Sequence, residues 1–175
     1  EALDSYNIPK EILDVNPDGS LPLRIDRELS LYNSALIVEY LDERFPHPPL
    51  LPVYPVARAQ TRLILDRLEK DLSYHLDIIE NENSSKADLS KSKNSLETNL
   101  KNSLILFGNS SFFNEDEFSI LDAVVSPILF RLNFYGIKIP NSKAAIGIKT
   151  YMERIFEKES FKSSLTESEK EKFLI

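Results

Sequence analysis

His47 stands between Pro46 and Pro48, with Pro49 beside it, and is one of only two histidines in the chain. Its imidazole offers a donor and an acceptor and changes charge near neutral pH. Glu39, Asp42, Glu43 and Arg44 precede it, and Arg58 and Arg62 follow. These charges read in two ways. They form the rim of a binding patch around His47, or they are an ordinary solvated helix face whose i, i+4 pairs contribute about 0.3–0.5 kcal/mol each. Other chemistries find little support. Cysteine is absent, so no thiolate or disulfide forms within the chain. Two distant histidines give no metal-ligand spacing, and four isolated glycines make no phosphate loop. Ser119 and Asp122 have the spacing of a helix capping box, with Asp in place of the usual Glu or Gln. The pair reads as a structural cap whose loss costs about 1 kcal/mol. The Glu115-Asp116-Glu117 run reads as a solvated loop.

The element that presents His47 is a stiff connector. Between Pro46 and Pro55 lie five of the chain's ten prolines. Each proline fixes φ and removes a backbone donor, so neither helix nor central strand runs through, and the segment is extended. Three parts follow: 1–45, the connector 46–55, and 56–175. In the first, Ile8 to Val15 reads as a short helical turn stopped by Asn16-Pro17, and Asp18-Gly19 as a turn. Leu21 to Asp26 and Glu28 to Tyr32 read as short strands around the corner Asp26-Arg27. Asn33-Ser34 can cap the next helix, which buries Ala35, Leu36, Ile37, Val38, Tyr40 and Leu41. Two strands and one helix do not close a stable sheet, so further strands are expected ahead of Glu1.

Beyond the connector the pattern is helical throughout. Leu65, Leu68, Leu72, Leu76 and Ile79 mark a helix from Val56 to about Ile79. Asn81 to Ser85 breaks it. Leu89, Leu96, Leu100, Leu104 and Phe107 mark a second helix, ended by Gly108-Asn109. The helix opened by Ser119 runs to Leu132 or Tyr135, is apolar almost all round and belongs at the centre of a bundle, with a kink expected at Pro127. Ile146 to Phe156 and Glu167 to Lys172 complete the set. The formal charge of −7 argues against direct binding to a nucleic-acid backbone and favours basic protein surfaces as partners. No apolar run approaches a membrane span and no signal peptide is visible, so a cytoplasmic location is expected.

This order of elements is α+β and resembles the glutathione transferase fold: a thioredoxin-like part, incomplete in this chain, then an all-helical part. Leu21-Pro22 falls where that superfamily places a cis-proline, Asn33-Ser34 opens its third helix, and Ser119-Ile120-Leu121-Asp122 opens the central helix of its second domain. The string from Glu39 through the connector to Arg58 is more specific. Together with Asp26-Arg27-Glu28-Leu29, Asp116-Glu117-Phe118-Ser119, Arg154-Ile155-Phe156-Glu157 and Ser160 to Glu167, it resembles the bacterial stringent starvation protein A family. That resemblance spans about Asn7 to Lys172.

The resemblance implies a transcription regulator and no enzyme. It implies a dimer, with itself or with a homologue, that binds the RNA polymerase core and primary sigma factor and meets DNA only through polymerase. It implies no membrane and no cofactor. Its functional surface falls on Pro46, His47 and Pro48, extended to Pro49, Tyr54, Glu43, Arg44 and Arg58. On residue chemistry alone a spacer is the simpler reading of the connector; the resemblance reverses this for His47, not for Pro52 and Pro55, which set the entry to the next helix. The alternative is a glutathione-binding transferase. Residual glutathione-site positions are Pro22, Asn33 and Ser34. Asn33 stands where such enzymes carry an acid and so lacks the charge to pair with the ligand's ammonium. Ser34 remains, but it doubles as a cap. The dimer implied by the resemblance is lined by the helices that begin near Arg58 and Lys86.

Overall fold

The computed structural model describes residues 8–107, 111–113 and 116–173. The helix stop expected at Gly108-Asn109, and Glu115, lie outside the described residues. The chain divides into two units, 1–51 and 52–175, with the boundary inside the proline-rich connector.

Turn chemistry shapes the first unit. Helix α1 (Lys10–Val15) follows Pro9 and ends at Asn16, because a residue before proline is pushed out of the helical region. The Asn16 side chain is buried and donates to the Ser20 carbonyl (2.7 Å) and hydroxyl (3.1 Å). Gly19 turns the chain at φ +64, where a Cβ would lie 2.9 Å from Ile8 Cδ1. The Leu21–Pro22 peptide is cis, as the resemblance implied. Strands β1 (Leu23–Asp26) and β2 (Leu29–Tyr32) pair antiparallel with Asp26 opposite Leu29 and Leu23 opposite Tyr32. They begin later than the sequence suggested: Arg27, at φ 57, and Glu28 form the turn between them. Helix α2 (Ser34–Arg44) is capped by Asn33, whose Oδ1 accepts from the amides of Ala35 (3.0 Å) and Leu36 (3.2 Å). The cap is therefore Asn33 and not Ser34. Ile37 is buried and Val38, Tyr40 and Leu41 are half-buried, whereas Ala35 is exposed and Leu36 is 56% exposed. Those two sit in the first turn of the helix, off the stripe that packs.

The second unit is all helical. Helix α3 (Pro55–Leu68) has proline at its first position, where a missing amide costs nothing. It passes through a wide π-helical turn, Glu69–Ser73, into α4 (Tyr74–Glu80). The sequence predicted one uninterrupted α-helix here. Leu68, Leu72 and Leu76 are all buried at strict four-residue steps. In a 3.6-residue helix each such step drifts about 40° off the stripe; a wider turn absorbs the drift and keeps all three leucines inside. Asn99 closes the loosened ladder by donating from Nδ2 to the Asp71 carbonyl at 2.9 Å.

Helix α5 (Lys86–Ser103) is capped by Ser85, buries Leu96 and Leu100, and tightens into a 3₁₀ turn, Leu104–Phe107. Helix α6 (Ile120–Leu132) lies at the centre, with Ile120, Leu121, Val125, Ile128, Leu129, Phe130 and Leu132 buried. It continues through Pro127, whose missing N–H leaves the Ala123 carbonyl without its helical donor. Gly136, at φ 70, ends the 3₁₀ turn that follows. Helices α7 (Ile146–Phe156), α8 (Glu159–Ser164) and α9 (Glu167–Phe173) complete the unit; α8 has no counterpart in the sequence reading.

The capping box opening α6 is a larger junction than its spacing suggested. Asp122 is fully buried. Its Oδ2 accepts from the Ser119 amide (2.8 Å) and hydroxyl (3.0 Å). Its Oδ1 accepts from the Phe113 amide (2.8 Å) and from the Tyr151 hydroxyl (3.0 Å) on α7. Burial, with the Asp122 charge and hydrogen bond added, pushes the Tyr151 phenol far above its ordinary value. One carboxylate thus ties together a loop, the start of α6 and the middle of α7.

Candidate partner-binding site

Pro46, His47, Pro48 and Pro49 are all exposed. The His47 amide donates to the Phe45 carbonyl at 2.9 Å, and the His47–Pro48 peptide is cis. Proline leaves few backbone donors here: between Pro48 and Pro52 only Leu50 and Leu51 carry an N–H. Both donate to Asp42, Leu50 to Oδ1 at 2.6 Å and Leu51 to Oδ2 at 3.3 Å. Asp42 is buried and so is Leu51. Asp42 therefore does not belong to a solvated helix face. It anchors the far side of the His47 loop to the last turn of α2, a role that sequence reasoning missed. The available signal was a carboxylate eight residues ahead of the only two amides in a proline run.

Arg44 is also committed inside the first unit. Its guanidinium lies 5.6 Å from the Phe45 ring centroid, and its Nε is 3.9 Å from Asp26 Oδ2. Tyr40 donates to the same Asp26 oxygen at 2.5 Å. That hydrogen bond holds the Asp26 carboxyl below its ordinary value, against an upward push from desolvation, and the nearby guanidinium of Arg44 adds to the lowering. The same hydrogen bond, with desolvation, raises the Tyr40 phenol. Glu43 is exposed. Phe45, which the sequence reading did not single out, is 63% exposed beside His47. The first unit thus presents Glu43, Phe45, Pro46, His47, Pro48 and Pro49 as one contiguous stretch. Tyr54 and Arg58 belong to the second unit; Tyr54 is 79% exposed at the N-terminus of α3, and Arg58 is half-buried.

The residual glutathione-site positions have structural work. Pro22 enters β1 through the cis peptide, Asn33 spends its side-chain oxygen on the α2 cap, and Ser34 is exposed as the first helical residue. No set of three or more His, Cys, Asp or Glu side chains among the described residues is arranged to hold a metal ion. No helix among them is long and apolar enough to cross a membrane.

Comparison with solved structures places the architecture. BphK, a bacterial glutathione transferase solved in a ternary complex, matches 91% of this chain and 79% of its own, with a TM-score of 0.80 at 21% identity. Glutathione transferase Omega 3C from Trametes versicolor matches 95% of this chain and 76% of its own, with a TM-score of 0.77 at 19% identity. The chain therefore has the glutathione transferase fold. No family model matches the sequence. Whole-sequence similarity is more specific: a stringent starvation protein A homolog from Coxiella burnetii is 41% identical over 172 residues, covering 97% of this chain and 79% of that protein. A second, from Haemophilus ducreyi, is 38% identical and covers 94% of this chain and 76% of its own length. The chain belongs to the stringent starvation protein A family.

Proposed function

We propose that this chain is a transcription regulator that binds RNA polymerase holoenzyme, touching the primary sigma factor and the core, and alters promoter use under starvation, stationary phase or phage growth without catalysing a reaction. The observation that carries this reading is the exposed Pro46-His47-Pro48-Pro49 segment, anchored from behind by the buried Asp42 carboxylate. Proline rings are apolar surface that is already ordered, so burying them against a partner costs little conformational entropy. The imidazole adds a donor and an acceptor at a fixed place. A net charge of −7 suits the Lys- and Arg-rich surfaces that polymerase turns toward DNA.

The chain works as a dimer in the cytoplasm, with itself or a homologue, and meets DNA only through polymerase. Val56, Leu63 and Tyr74, 73%, 70% and 57% exposed along α3 and α4, are apolar side chains that such a dimer would cover. Glu43 and Arg44 extend the docking surface on the first unit, and Tyr54 and Arg58 are separate candidate contacts on the second.

The test is co-purification of polymerase holoenzyme with a Pro46→Ala, His47→Ala, Pro48→Ala triple variant, with sedimentation as the control. The expected outcome is loss of polymerase with the dimer retained. Polymerase recovered at the wild-type yield defeats the proposal. Calorimetry with glutathione addresses the transferase alternative: silence is expected, since Asn33 brings no charge and its oxygen already caps α2, and micromolar to low-millimolar binding restores that alternative.

A further inference from the structure

The second unit contains a half-open cavity of about 510 Å³ that shares no residue with the connector. Its volume falls within the range of small-molecule sites, roughly 300–1,000 Å³. It lies between the C-terminal part of α6 and the α8–α9 turn. Phe118, Phe130, Phe161, Ile155 and Leu165 make its walls largely apolar. The rings of Phe130 and Phe161 meet edge to face at 5.5 Å, and Phe161 stacks on Phe156 at 4.9 Å, so this wall is a packed aromatic cluster.

The polar groups on the lining are unequal in their commitments. Glu169 is engaged: its Oε2 accepts from the Thr166 amide (2.8 Å) and hydroxyl (2.7 Å). Arg131 is engaged through Nη1 with both oxygens of Glu80, at 3.0 and 3.1 Å. Lys158 differs. Its ammonium lies 5.1 Å from the Phe118 ring centroid and 5.4 Å from that of Phe112, and among the described residues no carboxylate pairs with it. A cation held by ring faces keeps its hydrogen-bonding capacity for a third group.

We propose that this cavity is a binding site for a small amphipathic anion, a carboxylate on a flat aromatic body, whose ring lies among Phe118, Phe130 and Phe161 and whose carboxylate takes the Lys158 ammonium. The site is independent of the polymerase-docking reading. An apolar wall beside a cation that no carboxylate among the described residues pairs with selects against both a neutral ring and a polar anion without a ring.

The probe is 1-naphthoate, titrated into the full chain by calorimetry beside neutral 1-naphthalenemethanol. The expected dissociation constant for naphthoate is on the order of 0.1 mM for a ligand of this size, with the alcohol about tenfold weaker. Lys158→Ala weakens naphthoate about tenfold, and Lys158→Arg restores most of the affinity. Leu165→Trp, which fills the cavity from its rim, abolishes saturable binding; Ser164→Trp, on an exposed lining position, is the second blocking variant should the first fail to fold. No saturable binding up to about 10 mM, equal affinity for the alcohol, or undiminished binding in a folded blocking variant each overturns the proposal.

Discussion

Replacing Asp42 by alanine tests the link between the fold and the docking segment. In the structure this carboxylate is buried and accepts two amide hydrogens, at 2.6 Å from Leu50 and 3.3 Å from Leu51. Hydrogen bonds to a charged acceptor contribute about 1.5–3 kcal/mol each. The shorter bond falls within that range and the longer one below it, so the pair stabilises the loop by about 3 kcal/mol. Every 1.4 kcal/mol is a factor of ten, so exchange protection of the Leu50 and Leu51 amides falls about a hundredfold in Asp42→Ala. Asp42→Asn keeps one good acceptor and gives an intermediate loss. The assay is amide hydrogen exchange of peptides spanning Phe45 to Pro52, with peptides from the second unit as the internal standard. A local readout is needed because a chain with two units does not guarantee a single melting transition. Released from its anchor, the segment must also be re-ordered on binding, so polymerase capture weakens in parallel. Protection unchanged in Asp42→Ala, or a loss no larger than the ~0.5 kcal/mol of an exposed helix pair, refutes the anchoring argument.

The Asp122 junction and the Asp26 cluster give two further outcomes. Asp122→Ala removes a cap and leaves the Phe113 amide and Tyr151 hydroxyl without their buried acceptor. At about 1 kcal/mol for the cap and 1–3 for each orphaned donor, urea denaturation of the helical unit shows a loss of about 3–7 kcal/mol, several times the loss for a simple cap. Tyr151→Phe costs about 1–2 kcal/mol, and the double variant is less than additive because both changes remove the same hydrogen bond. Asp26 has its folded pKa below the ordinary carboxylate value. Its contribution is therefore present above that value and is lost as pH falls through the folded pKa. The Tyr40 phenol is raised above 10.0, so its share is present below that value and is lost as pH rises through the raised folded pKa. Tyr40→Phe flattens both limbs of the first unit's pH–stability curve, read by exchange of the α2 amides; an unchanged acid limb counts against the Asp26–Tyr40 bond.

Much of this protein was legible along the chain because its signals are local. Five prolines in ten residues keep helix and strand out of the connector, but it bends repeatedly and does not run extended as its prolines suggested. Asn33, Ser119 and Asp122 have the chemistry and spacing of helix starts, and the structure caps helices at Asn33 and Ser119. The exposed setting of His47 follows from the same proline run. The tertiary structure alone decided which side chains meet across distance. Asp42 reads as one more surface acid until the loop folds back to place two amides on it, and Arg44 is drawn to Asp26 across a strand pair. The π-helical turn after Leu68 depends on α5, which brings Asn99 to the Asp71 carbonyl. Residue type and spacing fix what a segment does with its own neighbours in sequence. The energy of a buried carboxylate depends on which donors packing delivers, and those donors come from segments that periodicity cannot pair.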